Sequence, residues 1–279
     1  MMTVPGNCFD KRLIRYQPMP LSEMNSYGKF HRLHRLFRHE GRVLILAMDH
    51  GIPFGDVAGL EDIEQLLRNS EGSVDAAILN KGMVDTIDRK TMNHFDLILK
   101  LNGISKYASD PCNLTMISTV EEALSYDATA VSFEFYIGRE REAAKLAELS
   151  AVVSECEKQG IPLIAHIYPD AEKKDPAIIS HCIRLGWEIG VDVVKTFYFQ
   201  GMSTQLGRTR KPVIIAGGDR VGSVAEVESY VSSAISEGAR GIAMGRNLWG
   251  WGKDSVQLIE RVGKIVHGHA NTGKHSDSR

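Results

Sequence analysis

The sequence predicts a (β/α)8 barrel, and three observations predict it. Short apolar runs alternate with amphipathic stretches eight times between residues 42 and 267. The runs are apolar throughout rather than at every second position, the pattern of strands buried on both faces. Each intervening stretch is long enough for the crossover that parallel neighbours require. Eight such units closing on themselves make a barrel. A doubly wound open sheet is the rival, weakened because no GxGxxG follows the first run.

The elements follow in order. Residues 1–24 read as an irregular arm carrying Pro5, Pro18 and Pro20, and 25–40 as a short amphipathic helix with Leu33, Leu36 and Phe37 among basic residues. RVLILAMD (42–49) is the first strand, followed by a helix over 59–70; VDAAILN (74–80) is the second, with MVDTIDRK as its short helix. DLILKLNG (96–103) is the third, and its helix 119–126 opens with Thr119 and Glu122 at capping-box spacing. TAVSFEFY (129–136) precedes a helix over 139–159, whose face is Leu146, Leu149, Val153 and Cys156 and whose stop is Gly160. The second half repeats the unit: strands 161–168, 191–198, 211–218 and 241–247, with helices at 175–189, 223–237 and 254–267 and a poor short one after the sixth strand. The division is therefore an arm and helix (1–40), one barrel domain (41–268) and a flexible tail (269–279).

Composition narrows the class. Of 279 residues, 43% are hydrophobic and 24% charged, which is ordinary for a globular chain. Thirty-three basic against 35 acidic residues leave a net charge of −2, with no basic footprint for nucleic acid and no polybasic patch for a membrane. No apolar run reaches the roughly 18 residues of a membrane span, and the N-terminus lacks a signal-peptide core, so the expected place is the cytoplasm. Cys8, Cys112, Cys156 and Cys182 form no CxxC pair and read as free thiols in a reducing compartment.

In a barrel of this kind reactive groups stand at the C-terminal ends of strands. The polar residues there are Asp49 and His50, Asn80 and Lys81, Glu134 and Tyr136, His166, Tyr168 and Asp170, and Lys195 and Thr196. Lys195 is the sharpest signal, because an ammonium inside DVVKTFYF is costly to bury unless paired or deprotonated. It is either a buried lysine–carboxylate bridge or a desolvated amine nucleophile poised for a Schiff base. Asp49 and Tyr168 at matching strand ends favour the second. IIAGGD and MGRN, after the seventh and eighth strands, put Gly217, Gly218, Gly245 and Arg246 where this fold holds phosphate. Ten histidines include no HExxH and no clustered Cys/His spacing, so no catalytic metal and no cofactor are expected.

The ordered motifs LAMDHGIPFG, ILNKGM, HIYPD, VVKTFY, VIIAGGD and AMGRNLWG resemble those of the archaeal-type class I aldolases over about residues 30–268. That group takes in class I fructose-bisphosphate aldolase, the aminodideoxyheptulosonate synthases and the autoinducer-2 thiolase. The resemblance implies Lys195 as Schiff-base lysine, Tyr168 as proton shuttle and Asp49 as proton acceptor or hydroxyl binder. It also implies Gly217, Gly218, Gly245 and Arg246 as the phosphate cradle. His50, Lys81 and His166 are expected to contact a sugar-phosphate substrate, and a homo-oligomer, often of ten subunits, is implied. YPDA stands where YPRG is usual, and His166 where tryptophan is common. The expected reaction is cleavage of fructose 1,6-bisphosphate; a transaldolase-type synthase, a thiolase on a phosphorylated dione and a sugar-phosphate sensor are the rivals.

Overall fold

The computed structural model describes residues 26–169 and 175–268. The arm at 1–24, the tail at 269–279, Cys8 and the Asp170–Ala171 departure lie outside the described residues. The barrel strands are β1 (Val43–Ala47), β2 (Ala76–Leu79), β3 (Asp96–Lys100), β6 (Ala130–Ile137), β7 (Leu163–Pro169), β8 (Val193–Thr196), β9 (Val213–Ala216) and β10 (Gly241–Met244). They close in the order β1-β10-β9-β8-β7-β6-β3-β2, and every pair is parallel. The main crossover helices are α3 (Ile63–Asn69), α6 (Val120–Ser125), α7 (Glu142–Gln159), α8 (Pro176–Ile189), α10 (Val224–Ser236) and α12 (Ser255–His267). Among the described residues no helix is long and apolar enough to cross a membrane.

Alternation along each strand sorts the apolar residues into two bodies. Leu44, Leu46, Ala77, Leu79, Val131, Phe133 and their counterparts face outward under the helices. Val43, Ile45, Ile78, Ile98, Ile164, Val193 and Ile214 fill the lumen. Helix α1 (Tyr27–Leu36) closes the lower end: Leu36 and Phe37 join the lumen cluster and Leu33 packs against it. Polar contacts at the strand starts anchor this plug. Lys29 Nζ lies 2.8 Å from Glu157 and 2.9 Å from Asp192, and Arg38 2.7 Å from Asp96. Asp75 accepts from Leu44 N–H at 2.7 Å and contacts His267 at 2.8 Å and His39 at 3.1 Å. The expected capping box at Thr119/Glu122 is present, and Gly160 ends α7 in the left-handed region at φ +66°.

Three local readings are corrected. The third strand does not run to Gly103: it ends at Lys100, and Asn102–Gly103 (β4) turns into an antiparallel pair with Thr115–Met116 (β5). The cause is the Asn102 side chain, which replaces a strand backbone by donating to Glu134 C=O and accepting from Glu134 N–H, both at 2.8 Å. MVDTIDRK is two one-turn helices, α4 (Lys81–Val84) and α5 (Arg89–Met92), because Asp88 caps the second afresh through Lys90 N–H. The eighth strand stops at Met244, and Arg246–Trp249 form a helical turn, α11.

Leu36 is fully buried as the lumen plug, so Leu36→Ala should cost about 2–5 kcal/mol of stability, read from the urea midpoint. A shift below about 0.5 kcal/mol would show that α1 is not part of the core.

Candidate active site

Inward positions at the upper ends of the strands open onto a cavity of about 450 Å³. The residues that line it include Asp49, His50, Lys100, Glu134, His166, Tyr168 and Lys195, together with Gly217, Gly218, Gly245 and Arg246. The parity that fills the lumen below with Ile98, Ile164 and Val193 brings Lys100, His166 and Lys195 inward two residues later. The register places Glu134 beside His166 and His166 beside Lys195 across β6, β7 and β8.

Sequence reasoning missed the group that organises the charges, Lys100. Its Nζ lies 2.6 Å from Glu134 Oε2 and 3.3 Å from Asp49 Oδ2, and it is only 3% exposed. Burial alone would push Lys100 down, but Glu134 and Asp49 outweigh it and raise its pKa. The signal was present in DLILKLNG, a lysine inside a run read as a strand, as Lys195 is inside DVVKTFYF. Glu134 also accepts from the Tyr136 hydroxyl at 2.6 Å. Burial opposes its charge, yet Lys100 holds its carboxyl well below the usual range. Asp49 is held at about 2, burial being outweighed by Lys100, His50 and Lys195.

Lys195 is different. It is 6% exposed and makes no ion pair among the described residues. Burial, with Lys100 adding to it against the pull of Asp49, lowers its pKa to about 8. The buried lysine–carboxylate bridge expected as the alternative for Lys195 exists, but it belongs to Lys100. His166 is fully buried and neutral, pushed to about 3 by burial and by the charges of Lys195 and Lys100. Tyr168 stacks on Phe197 with ring centroids 4.8 Å apart. Burial, then Glu134 and Asp49, hold its phenol well above its ordinary value.

The glycine-bearing loops also converge. Asn247 Nδ2 donates to the carbonyls of Gly217 and Asp219, both at 2.9 Å, and Oδ1 accepts from Val221 N–H at 3.0 Å. One side chain thus ties the ends of β9 and β10 together. Gly218 sits at φ +66°, and a Cβ on Gly245 would lie 2.3 Å from the His50 ring. Arg246 packs over Phe54, 3.9 Å from Asp219.

Lys81 does not join this site. Its Nζ is bound to Glu122 at 2.7 Å, with both side chains 41% exposed. The neighbouring Asn80 faces the cavity instead and donates to Asp49 C=O at 3.2 Å. Asp49, Glu134 and His166 bring one ligand atom each within 4.8 Å of one another, a grouping that sequence spacing does not show because three strands supply it. The cation already against both carboxylates is Lys100.

Acetic anhydride should modify Lys195 at a rate that rises about tenfold per pH unit below about 8 and levels above it. Lys100→Met removes a neighbouring positive charge, so the midpoint should move upward. A midpoint that stays or falls in the variant would show that Lys100 does not depress Lys195.

Comparisons with known proteins bear on this geometry. The DeoC/LacD family aldolase profile matches residues 43–250. The 2-amino-4,5-dihydroxy-6-oxo-7-(phosphonooxy)heptanoate synthase of Streptomyces griseus is 30% identical, over 87% of this chain and 91% of its own. The 2-amino-3,7-dideoxy-D-threo-hept-6-ulosonate synthase 1 of Archaeoglobus fulgidus is 32% identical, over 87% and 92%. An archaeal fructose-1,6-bisphosphate aldolase, solved with its catalytic lysine covalently bound to the carbinolamine intermediate, superposes with a TM-score of 0.77 at 27% identity, over 85% of this chain and 99% of that one. The chain belongs to the DeoC/LacD family of aldolases, with Schiff-base-forming class I enzymes among its relatives.

Proposed function

We propose that this chain is a Schiff-base aldolase acting on a phosphorylated ketose, with fructose 1,6-bisphosphate as its first substrate. The observation that carries this is Lys195, a buried amine with no carboxylate bound to it, facing a cavity that also holds Asp49 and Tyr168. In the strand order β9 and β10 lie diametrically opposite β6 and β3. A phosphate on Gly217, Gly218, Gly245 and Arg246 leaves the substrate's far end towards the loops of β3 and β6, where Lys106 and Arg139 line the cavity. Two cationic ends with an amine between them suit a bisphosphate.

Lys195 attacks the ketone, and loss of water leaves an iminium. The iminium accepts the electron pair of the carbon–carbon bond beyond it, giving an enamine bound to Lys195 and releasing glyceraldehyde 3-phosphate. A base removes the hydroxyl proton of the bond that breaks, and an acid protonates the enamine carbon before dihydroxyacetone phosphate is hydrolysed off. Tyr168 and Asp49 are the groups for these two tasks; a phenol held high in the resting site loses its proton more easily once the iminium cation stands beside it. His50 and His166 complete the polar wall. A second reading is a transaldolase-type synthase that transfers the ketose fragment to aspartate semialdehyde. It is favoured by the names of two relatives, an amino-heptanoate synthase and an amino-heptulosonate synthase. A cytoplasmic homo-oligomer goes with either reading.

A panel of ketose phosphates, with and without aspartate semialdehyde or coenzyme A, with products weighed by mass spectrometry, tests this. Dihydroxyacetone phosphate and glyceraldehyde 3-phosphate from fructose 1,6-bisphosphate alone support the first reading. A seven-carbon amino product instead establishes the synthase, coenzyme A dependence a thiolase, and binding without turnover a sensor. Tyr168→Phe keeps the ring and should lower turnover by roughly 10²–10⁴, while borohydride still traps the covalent intermediate on Lys195 after long incubation, its formation slowed. Turnover within a few-fold of the parent would leave Tyr168 as a pocket-lining aromatic.

A further inference from the structure

His166 is fully buried, and among the described residues neither of its ring nitrogens has a hydrogen-bond partner. Two orphaned nitrogens in one buried imidazole are expensive, since each forgoes the hydrogen bond it had in water. The position is constrained on both sides. Lys195 is its direct partner on β8, at a strand spacing of about 4.8 Å, and Glu134 is its direct partner on β6. Nδ1 stands 3.7 Å from Glu134 Oε2, too long for a hydrogen bond and short enough to become one if the ring were charged. Glu134 is in turn fixed by Tyr136, by Lys100 and by the Asn102 carboxamide that brackets its backbone. The ring lines the cavity beside the amine and is backed by a positioned carboxylate.

We propose that His166 is a catalytic residue, the proton carrier for formation of the covalent intermediate on Lys195, with Glu134 as the residue that positions it and balances its charge. This rests on the reading of Lys195 as nucleophile. When Nζ attacks the ketone, the N–C bond forms and the C=O π pair moves to oxygen, which takes a proton from the Tyr168 phenol. Nζ, now bearing an excess proton at a deeply buried position, passes it to His166, and the imidazolium is met by Glu134. The carbinolamine hydroxyl is one carbon away from Nζ. His166 returns its proton there, the C–O bond breaks, water leaves, and the nitrogen lone pair completes the iminium. The sum is amine, ketone and phenol going to iminium, water and phenolate. His166 ends as it began, and the phenolate is ready to take the hydroxyl proton in the next step.

The test is rapid-quench borohydride trapping with dihydroxyacetone phosphate, which reads this step without carbon–carbon cleavage. His166→Ala should slow adduct formation by roughly 10²–10⁴. Imidazole added to the buffer, which fits the vacated space, should restore part of that rate in a concentration-dependent way. Glu134→Gln keeps the ring and the volume and should slow the same step by about tenfold, so the proposal stays testable if the alanine variant folds poorly. Trapping within a few-fold of the parent in both variants overturns the proposal, as does slow trapping of His166→Ala that imidazole leaves unchanged, which would mark the ring as a spacer. If the parent forms no adduct, the nucleophile reading itself fails and takes this role with it; a normal parent adduct with an unaffected His166→Ala overturns the role alone.

Discussion

Asp49, just beyond β1, and Glu134, on β6 across β2 and β3 in the barrel order, both point into the cavity and would repel each other there. Lys100 stands against both carboxylates and is almost completely buried. A buried carboxylate without its counter-charge is a heavy penalty, and removing one partner of such a set typically costs about 3–5 kcal/mol. The triad therefore fixes more than three side chains. It saturates the acids, so that Lys195 keeps none for itself, and it adds a positive charge that helps burial hold the Lys195 amine at about 8. It also fixes Glu134, which holds Tyr136 and stands beside His166. The reactive properties of the cavity follow from this one ionic arrangement.

The barrel makes the arrangement possible through parity. Inward residues in the lower layers are aliphatic and close-packed, with α1 as the plug beneath them. Desolvation in the layer above is then severe, because no water reaches it from below. The same inward face that carries Ile98 and Val193 carries Lys100 and Lys195 two residues on. Packing in the lower half and chemistry in the upper half are thus consequences of one strand register, and α1, though distant from the cavity, helps keep its floor dry.

Much of this was legible in the sequence. Runs apolar on both faces gave the eight strands, and caps such as Thr119, Glu122 and Gly160 gave helix ends, because those signals are local. Lys195 stood out as a charge inside DVVKTFYF, and the Gly217–Gly218 and Gly245–Arg246 ends stood out by position. Lys100 was passed over although DLILKLNG put a lysine inside a run read as one strand; its carboxylate partners come from β6 and from just beyond β1, a meeting that linear spacing does not show. Lys81 was misplaced because its neighbour Asn80 lines the cavity, whereas the helical turn at Lys81–Val84 aims Lys81 at Glu122 outside. The Asn247 tie between two loops and the orphaned nitrogens of His166 are relations across strands that linear spacing cannot show.

The central claim is that of two buried lysines in one cavity, Lys195 is the free nucleophile and Lys100 the ion-paired scaffold. The most direct measurement is sodium borohydride reduction of the enzyme incubated with dihydroxyacetone phosphate, followed by proteolysis and mass mapping of the adduct. The structure predicts the added mass on the peptide that carries Lys195, with none on Lys100. An adduct on Lys100, or none on either lysine, would contradict it.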